Sequence, residues 1–454
     1  MLLWCSTARL SRLLALEIAD SVSLRVCCGL DARELSMGLT IAEKVLSRAS
    51  GVRSVHAGDE IRAKPDFVIV YDLPGITDIL FKQVKAEFGV DKLNEPERFA
   101  VFIDHMVPPS SPKEEELHIQ TRNWCREYGV SLYERRGIGH QVCTEIGYAV
   151  PGAFVVHFDG HISQLGAFGT FAMGIRRNIL EAFVRESVSM KVPATTRINF
   201  DGALRAGVMA RDVFHHIIGM LGPMALRFHV MELAGDGLAD ISIEGRQSIC
   251  GNAMFIGAST AVINPDQKTL DHALARARIK LNPVKSDSNA TFAAQHRVNL
   301  DEVEPVIVIP PNPSNTRRLR DYVGLSVDAG YLGSCVSGRL EDLRVAAKVL
   351  KGRRVKDGFS LHVVPSSQDI MAKAASEGLI TTLVDAGAFI SSSSCDYCFG
   401  HIATMSAGQR AVSTGTLNVP GRMGSPDSEI YICNAAAVAA AAIEGKVADP
   451  RDYM

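Results

Sequence analysis

Three cysteines in the last third of the chain have types and spacing that could do chemistry. They are Cys335, in Tyr331-Leu332-Gly333-Ser334-Cys335, and the pair Cys395 and Cys398, in Ser394-Cys395-Asp396-Tyr397-Cys398-Phe399-Gly400. A C-x-x-C pair offers one centre two thiolates from neighbouring backbone positions. A third thiolate from a separate turn makes three ligands, with no obvious fourth. An iron–sulfur cube normally takes four thiolates. A cube held by three leaves one iron open to water or substrate, which turns an electron carrier into a Lewis acid. On spacing alone the pair is equally a zinc half-site or a dithiol, and a lone cysteine is usually a small buried hydrophobe. The surroundings favour the cluster: each cysteine follows an apolar run (323–332 and 383–390) in a Gly/Ser-rich turn, where thiolates and backbone N–H groups face one point.

Three histidines follow the same rule of polar residues at the ends of apolar runs. His105 and His161 have a carboxylate close by, as Asp104-His105 and Asp159-Gly160-His161, and His140 is followed by Gln141. A histidine tuned by a carboxylate can hold a proton for a leaving hydroxyl or bind a substrate carboxylate. For any one of them, a cap or a satisfied turn residue is the plainer reading; three in loops of one region shift the balance toward chemistry.

The elements that must position these residues are those of layered α/β structure. Phe67-Val68-Ile69-Val70-Tyr71, Phe99-Ala100-Val101-Phe102-Ile103, Ala153-Phe154-Val155-Val156-His157 and Val306-Ile307-Val308-Ile309 alternate with amphipathic helical stretches. All-apolar strands so separated read as buried parallel strands, with ligand sites beyond their carboxyl ends. A linker is expected around Pro305 to Asn315, where Pro and Asn cluster. The Ala-rich run Asn434 to Ile443 suits a tightly packed helix. Thr40, with Glu43 three positions on, reads as a capped helix start.

At 454 residues the chain is too long for one core, and about three domains are expected. Its 47% hydrophobic and 22% charged residues are those of a soluble globular protein. A net charge of −2 gives no reason to expect nucleic acid or an anionic membrane as partner. No run approaches 18 apolar residues, so no transmembrane helix is expected. Ten scattered cysteines argue against a secreted disulfide framework and for a reducing cytoplasm. Residues 1–36 read as an N-terminal extension; four acidic residues argue against a transit sequence. A mis-assigned start, with Met37 as the true first residue, is the preferred reading of that segment.

The ordered set Asp104-His105-Met106-Val107-Pro108, His140-Gln141, Asp159-Gly160-His161, Gly333-Ser334-Cys335, Cys395-x-x-Cys398 and Gly421-Arg422 resembles the aconitase superfamily, and within it the 3-isopropylmalate dehydratase large-subunit family. The resemblance runs from Met37 to Met454. It implies three α/β/α sandwich domains around a central [4Fe-4S] cluster: residues 37–315 would form the first two and 316–454 the third. It implies Cys335, Cys395 and Cys398 as cluster ligands, and His105, His140, His161, Asp104 and Asp159 as catalytic residues. Arg422, Asn418 and Ser334 would contact a small hydroxy-carboxylic acid, dehydrated and rehydrated at the open iron. The general base would stand on a swivelling domain of a separate small subunit.

Departures from the family pattern cluster at the substrate. Gly160 stands where the family has Ser, Phe255 where it has Glu, Leu417 where it has a carboxylate-binding Arg, and Val336-Ser337 where it has Thr-Asn. Losing an Arg fork removes a bidentate carboxylate contact that Leu cannot imitate. The expected site is less polar, for an acid with fewer or differently placed carboxylates, such as an alkylmalate. The other readings are an altered cluster protein that senses iron or redox state, a dehydratase of another acid of secondary metabolism, and a relic whose cysteines hold zinc or nothing.

Overall fold

A computed structural model describes residues 38–73 and 77–454, so the expectation for residues 1–36 lies outside the described residues. The first sheet contains β1 (Phe67–Tyr71), β2 (Phe99–Ile103), β3 (Ser131–Glu134), β4 (Phe154–His157) and β5 (Phe171–Gly174). They lie in the order β3-β2-β1-β4-β5, all parallel. Every residue of β1, β2 and β4 is buried, as expected of apolar strands covered on both faces. The order reverses at β1, whose neighbours lead away on both sides; in such sheets the crevice beyond the strand's carboxyl end is where ligands bind.

A second parallel sheet holds β6 (Thr195–Asp201), β7 (Val230–Ala234), β8 (Thr260–Ile263) and β9 (Ala294–Asn299), in the order β8-β7-β6-β9. Its inner face shares one continuous apolar core with the first sheet, from Phe67 and Phe102 through Phe168 to Phe200 and Phe255. The third sheet has seven strands: β10 (Val306–Val308), β11 (Thr316–Arg318), β12 (Ala329–Leu332), β13 (Ser360–Val363), β14 (Phe389–Ile390), β15 (Arg410–Ser413) and β16 (Glu429–Ile432). Their order is β11-β10-β16-β15-β12-β13-β14. Here β12 is the strand with successors on both sides, and Cys335 lies just beyond its carboxyl end.

The run Val306-Val308 departs from expectation. It is antiparallel to both β11 and β16, because the Pro-rich segment after it folds back as a hairpin and does not cross to another layer. The expected linker at Pro305 to Asn315 is therefore part of the third sheet's edge. The helix at Ile41–Ser50 opens on the expected capping box, with Thr40 and Glu43 bonding reciprocally. The Ala-rich run forms the helix Ala435–Glu444, capped by Asn434, with every residue from Ala435 to Ala442 buried. Small side chains let it lie close against the third sheet's core. Among the described residues no helix is long and apolar enough to cross a membrane.

One buried charge ties down the second layer. Arg246 is fully buried; it pairs with Asp266 at 2.6 Å and donates to the carbonyls of Leu238 and Ile241. Removing one partner of a buried pair costs about 3–5 kcal/mol. Since Asp266 keeps 35% side-chain exposure and can be rehydrated, Arg246→Ala is expected at the low end, about 3 kcal/mol, by denaturant unfolding. Burial alone would raise the Asp266 carboxyl, but the Arg246 guanidinium holds it well below its usual range. Its contribution is therefore present above the ordinary carboxylate pKa and lost as pH falls, and Arg246→Ala flattens that acid loss.

Candidate active site

The carboxyl ends of β1, β2 and β4 meet the turns that carry the cysteines. Asp104 follows β2, and its side chain is wholly inaccessible. One carboxylate oxygen takes His105 Nδ1 at 2.6 Å, and the other accepts the Gly139 N–H at 2.7 Å. The Asp104 carbonyl accepts the Cys395 N–H at 2.9 Å, so the histidine loop and the C-x-x-C turn are joined through the backbone. Asp396, between the two cysteines, tightens that join: its carboxylate accepts the N–H of Met106 at 2.6 Å and of Val107 at 3.0 Å. Burial would pull His105 down, but the charge and hydrogen bond of Asp104, with Asp396 and Cys398 beyond, raise it above the ordinary histidine value.

His140, His161 and Asp159 form the facing side. Asp159 caps the 3-10 turn Gly160–Phe168 by accepting the His161 N–H at 2.7 Å. Its Oδ1 lies 3.4 Å from His140 Nε2, an atom that is buried and makes no aligned hydrogen bond. Burial would raise Asp159, but His161, His140 and His157 hold it well below the carboxylate range. His161 Nδ1 lies 2.7 Å from the Gly251 carbonyl; it must donate there, which leaves Nε2 as the other ring nitrogen. Phe255 lies against the His161 ring at 5.5 Å between centroids. A Cβ at Gly160 would stand 3.0 Å from Met254 Sδ, so the second layer closes tightly here.

The thiols of Cys335, Cys395 and Cys398 act on one another electrostatically; Cys335 and Cys398 are buried and Cys395 is half-buried. Cys398 receives a hydrogen bond from Cys395 and another from Arg422 Nη2 at 3.2 Å; these outweigh burial and favour its thiolate. Burial and the negative Cys398 raise Cys335. Gly333 sets up the Cys335 turn: its φ of +139° and the Val364 carbonyl beside it leave no room for a side chain. Among the described residues no three His, Cys, Asp or Glu side chains surround a single-ion site. A cluster asks for a wider set, because each thiolate binds its own iron. Unpartnered buried atoms mark the same region: Ser393 Oγ, Ser394 Oγ, His140 Nε2, Asn418 Oδ1 and Arg422 Nε. Three thiols, the Arg422 guanidinium and orphaned buried polar atoms in one region fit an anionic polar group.

Two of the expected substrate contacts are engaged elsewhere. The Ser334 hydroxyl donates to the Thr414 carbonyl at 3.1 Å and accepts the Val336 N–H at 3.2 Å, holding the cysteine turn. Asn418 spends its amide on the Val308 carbonyl at 3.3 Å but leaves Oδ1 unmatched. Leu417 packs against the core shared by the first two sheets.

Sequence reasoning missed Tyr71, His157, Asp396 and a buried amide network. His157 Nδ1 accepts the Asp159 N–H at 2.8 Å, and burial keeps this ring well below its ordinary value. Beneath Cys335 the buried Arg339 guanidinium donates to Gln141 Oε1 at 3.0 Å and to Gln164 Oε1 at 2.5 Å, and reaches the Cys335 carbonyl at 3.3 Å. Gln164 Nε2 donates to the same carbonyl at 3.0 Å. The one available signal for Tyr71 was its place as the polar end of an otherwise apolar strand.

The sequence profile of the aconitase family (aconitate hydratase) matches residues 53–324 and 320–445. The 3-isopropylmalate dehydratase large subunit 1 of Methanopyrus kandleri is 36% identical over 422 residues, covering 92% of this chain and 100% of that protein. The corresponding large subunit of Aquifex aeolicus is 35% identical over 428 residues, 92% of this chain and 98% of that protein. Among solved structures, the holo-form of aconitase X from Thermococcus kodakaraensis superposes with a TM-score of 0.46 at 11% identity, over 78% of this chain and 84% of that one.

Proposed function

Because the chain belongs to the aconitase family of hydro-lyases, we propose that it dehydrates and rehydrates a small hydroxy-carboxylic acid of the alkylmalate type, as the large subunit of a two-subunit enzyme. The observation that carries this reading is the backbone join between Asp104 and Cys395, which ties a carboxylate-tuned histidine to the C-x-x-C turn. Cys335, Cys395 and Cys398 are the residues that would hold a [4Fe-4S] cluster, which would supply Lewis-acid chemistry there. His105, kept protonated toward neutral pH by Asp104, delivers its proton to the departing hydroxyl. His140, oriented beside Asp159, and His161, fixed by the Gly251 carbonyl, hold the substrate's remaining oxygens. Arg422, against Cys398, takes a carboxylate.

Phe255, against the His161 ring, and Met254, against Gly160, border this site with apolar surface, which suits a substrate with an alkyl substituent. Identity of 36% and 35% over almost the whole chain to dehydratase subunits favours the enzyme over a cluster-binding sensor. A reducing cytoplasm suits the exposed chemistry of such a cluster.

The general base is assigned to a swivelling domain of a small subunit closing over the cysteines. Anaerobically prepared chain is expected to hydrate unsaturated dicarboxylic acids only after the small subunit is added, followed by loss of double-bond absorbance. Full turnover by the chain alone would overturn the two-subunit reading.

A further inference from the structure

The loop after β2 carries His105 on a strained backbone. Met106, the next residue, has a φ of +57°, a left-handed conformation that few side chains adopt. Such strain, of order 1–3 kcal/mol, persists only where the surroundings over-determine it. From the third sheet's side, Ser392 Oγ donates to the Val107 carbonyl at 3.1 Å and the Cys395 N–H to the Asp104 carbonyl, while Asp396 accepts the Met106 and Val107 N–H groups. The His105 carbonyl is held from elsewhere. It lies 3.1 Å from Nε2 of His118, on the helix Pro112–Tyr128, which packs on the first sheet through Trp124 and Tyr128. His118 is buried and has no part in the chemistry assigned above.

We propose that His118 is a positioning residue for the proton donor: it clamps the His105 carbonyl from the first sheet's layer and so sets where the His105 ring stands toward the substrate. This rests on the functional reading given above. A carbonyl only accepts, so His118 Nε2 must carry the hydrogen. The other ring nitrogen lies 3.9 Å from Glu115 Oε2, beyond hydrogen-bond reach, so the ring's short polar contact is the one to His105. Asp104 fixes the rotation of the His105 ring through Nδ1, but not the depth of the backbone beneath it. A donor on a packed helix fixes that depth better than one on a loop, because the helix is rigid. With residues 104, 106 and 107 tied to the C-x-x-C turn and its approach, and 105 tied to the helix, the loop spans two layers without slack. A misplacement of about 1 Å at a reacting group costs roughly a hundredfold in rate.

His118→Leu removes the donor, and His118→Gln keeps an N–H of similar reach. With the small subunit present and 3-isopropylmalate as substrate, His118→Leu should lower kcat roughly ten- to a hundredfold with KM within about twofold, and His118→Gln should recover most of that loss. Added to His105→Gln, His118→Leu should cost nothing further, since the clamp acts through the His105 ring; a residue that merely supports the fold would lower the residual rate again. A second readout needs no turnover. Hydrogen exchange at the Met106 and Val107 amides of the anaerobically reconstituted chain should quicken several-fold in His118→Leu and not in His118→Gln. An unchanged kcat, a further loss in the double variant, or unchanged exchange would overturn the inference and leave the functional reading standing. If His118→Leu does not fold, His118→Asn, whose amide is too short to reach the carbonyl, carries the same expectations. If the unsubstituted protein turns over none of 3-isopropylmalate, malate and citrate, the reading and the inference fall together.

Discussion

Asp104→Asn is expected to lower kcat by roughly a hundred- to ten-thousandfold, the range for losing a positioned acid or the buried carboxylate behind it. The wild-type carboxylate accepts twice, from His105 Nδ1 and from the Gly139 N–H. Asparagine keeps the shape but has one acceptor, so its NH2 must face one of those two donors. If Oδ1 stays with Gly139, His105 Nδ1 becomes an acceptor, and the imidazolium loses the charge that favoured it. Burial then governs the ring and pulls its pKa down, so the fall in rate on the basic side moves to lower pH. The sign for stability follows from the same balance: His105 is raised in the folded state, so its contribution is complete below the ordinary histidine pKa and disappears as pH rises through the raised value. The variant loses this acid-side stabilisation. Rate-against-pH profiles with thermal unfolding at pH 5.5 and 8 check both parts; an unchanged profile would mean that Asp104 does not tune the acid.

Cysteine substitutions are expected to divide into two sets. Cys335→Ser, Cys395→Ser and Cys398→Ser should each abolish iron and sulfide retention and bring turnover below detection. Cys125→Ala and Cys433→Ala should keep both. Cys125 and Cys433 lie in the apolar cores beside the first and third sheets, away from the turns that carry the other three cysteines. Cys143 and Cys250 are likewise part of the apolar core shared by the first two sheets. Iron and sulfide analysis of anaerobically reconstituted variants decides the assignment. Loss of iron from Cys433→Ala in folded protein would count against the proposed ligand set.

What could be read along the chain was local. Apolar strands ended by polar residues, the Thr40–Glu43 capping box and the Ala-rich helix all depend on residues within a few positions of one another. Both motif groups of the candidate site were visible for the same reason, since Asp104-His105 and Cys395-x-x-Cys398 are each contiguous. The missed residues depend on long-range convergence. Asp396 reads as filler between cysteines until its carboxylate is seen on the Met106 and Val107 N–H groups. Arg339 looks like a solvated helix start, yet it is buried because Gln141, Gln164 and the Cys335 carbonyl receive it. Val306–Val308 has the composition of a parallel strand, and only the return through the Pro-rich hairpin makes it antiparallel. Ser334 shows the converse: a hydroxyl beside Cys335 invites a substrate role, and in the fold it also bonds the Thr414 carbonyl and the Val336 N–H.

The clasp between Asp396 and the loop after His105 also sets a timetable. The two sides of that clasp are 290 residues apart in the chain. At a synthesis rate of about 5–20 residues per second, the histidine loop emerges roughly 15 to 60 seconds before the carboxylate that holds it. Through that interval the first sheet can fold, but the Met106 and Val107 N–H groups lack the Asp396 carboxylate and the C-x-x-C turn is not yet made. On the proposed ligand set, a chain released before residue 395 would carry the histidines without the C-x-x-C pair. On that proposal, cluster insertion would follow the synthesis of Cys398.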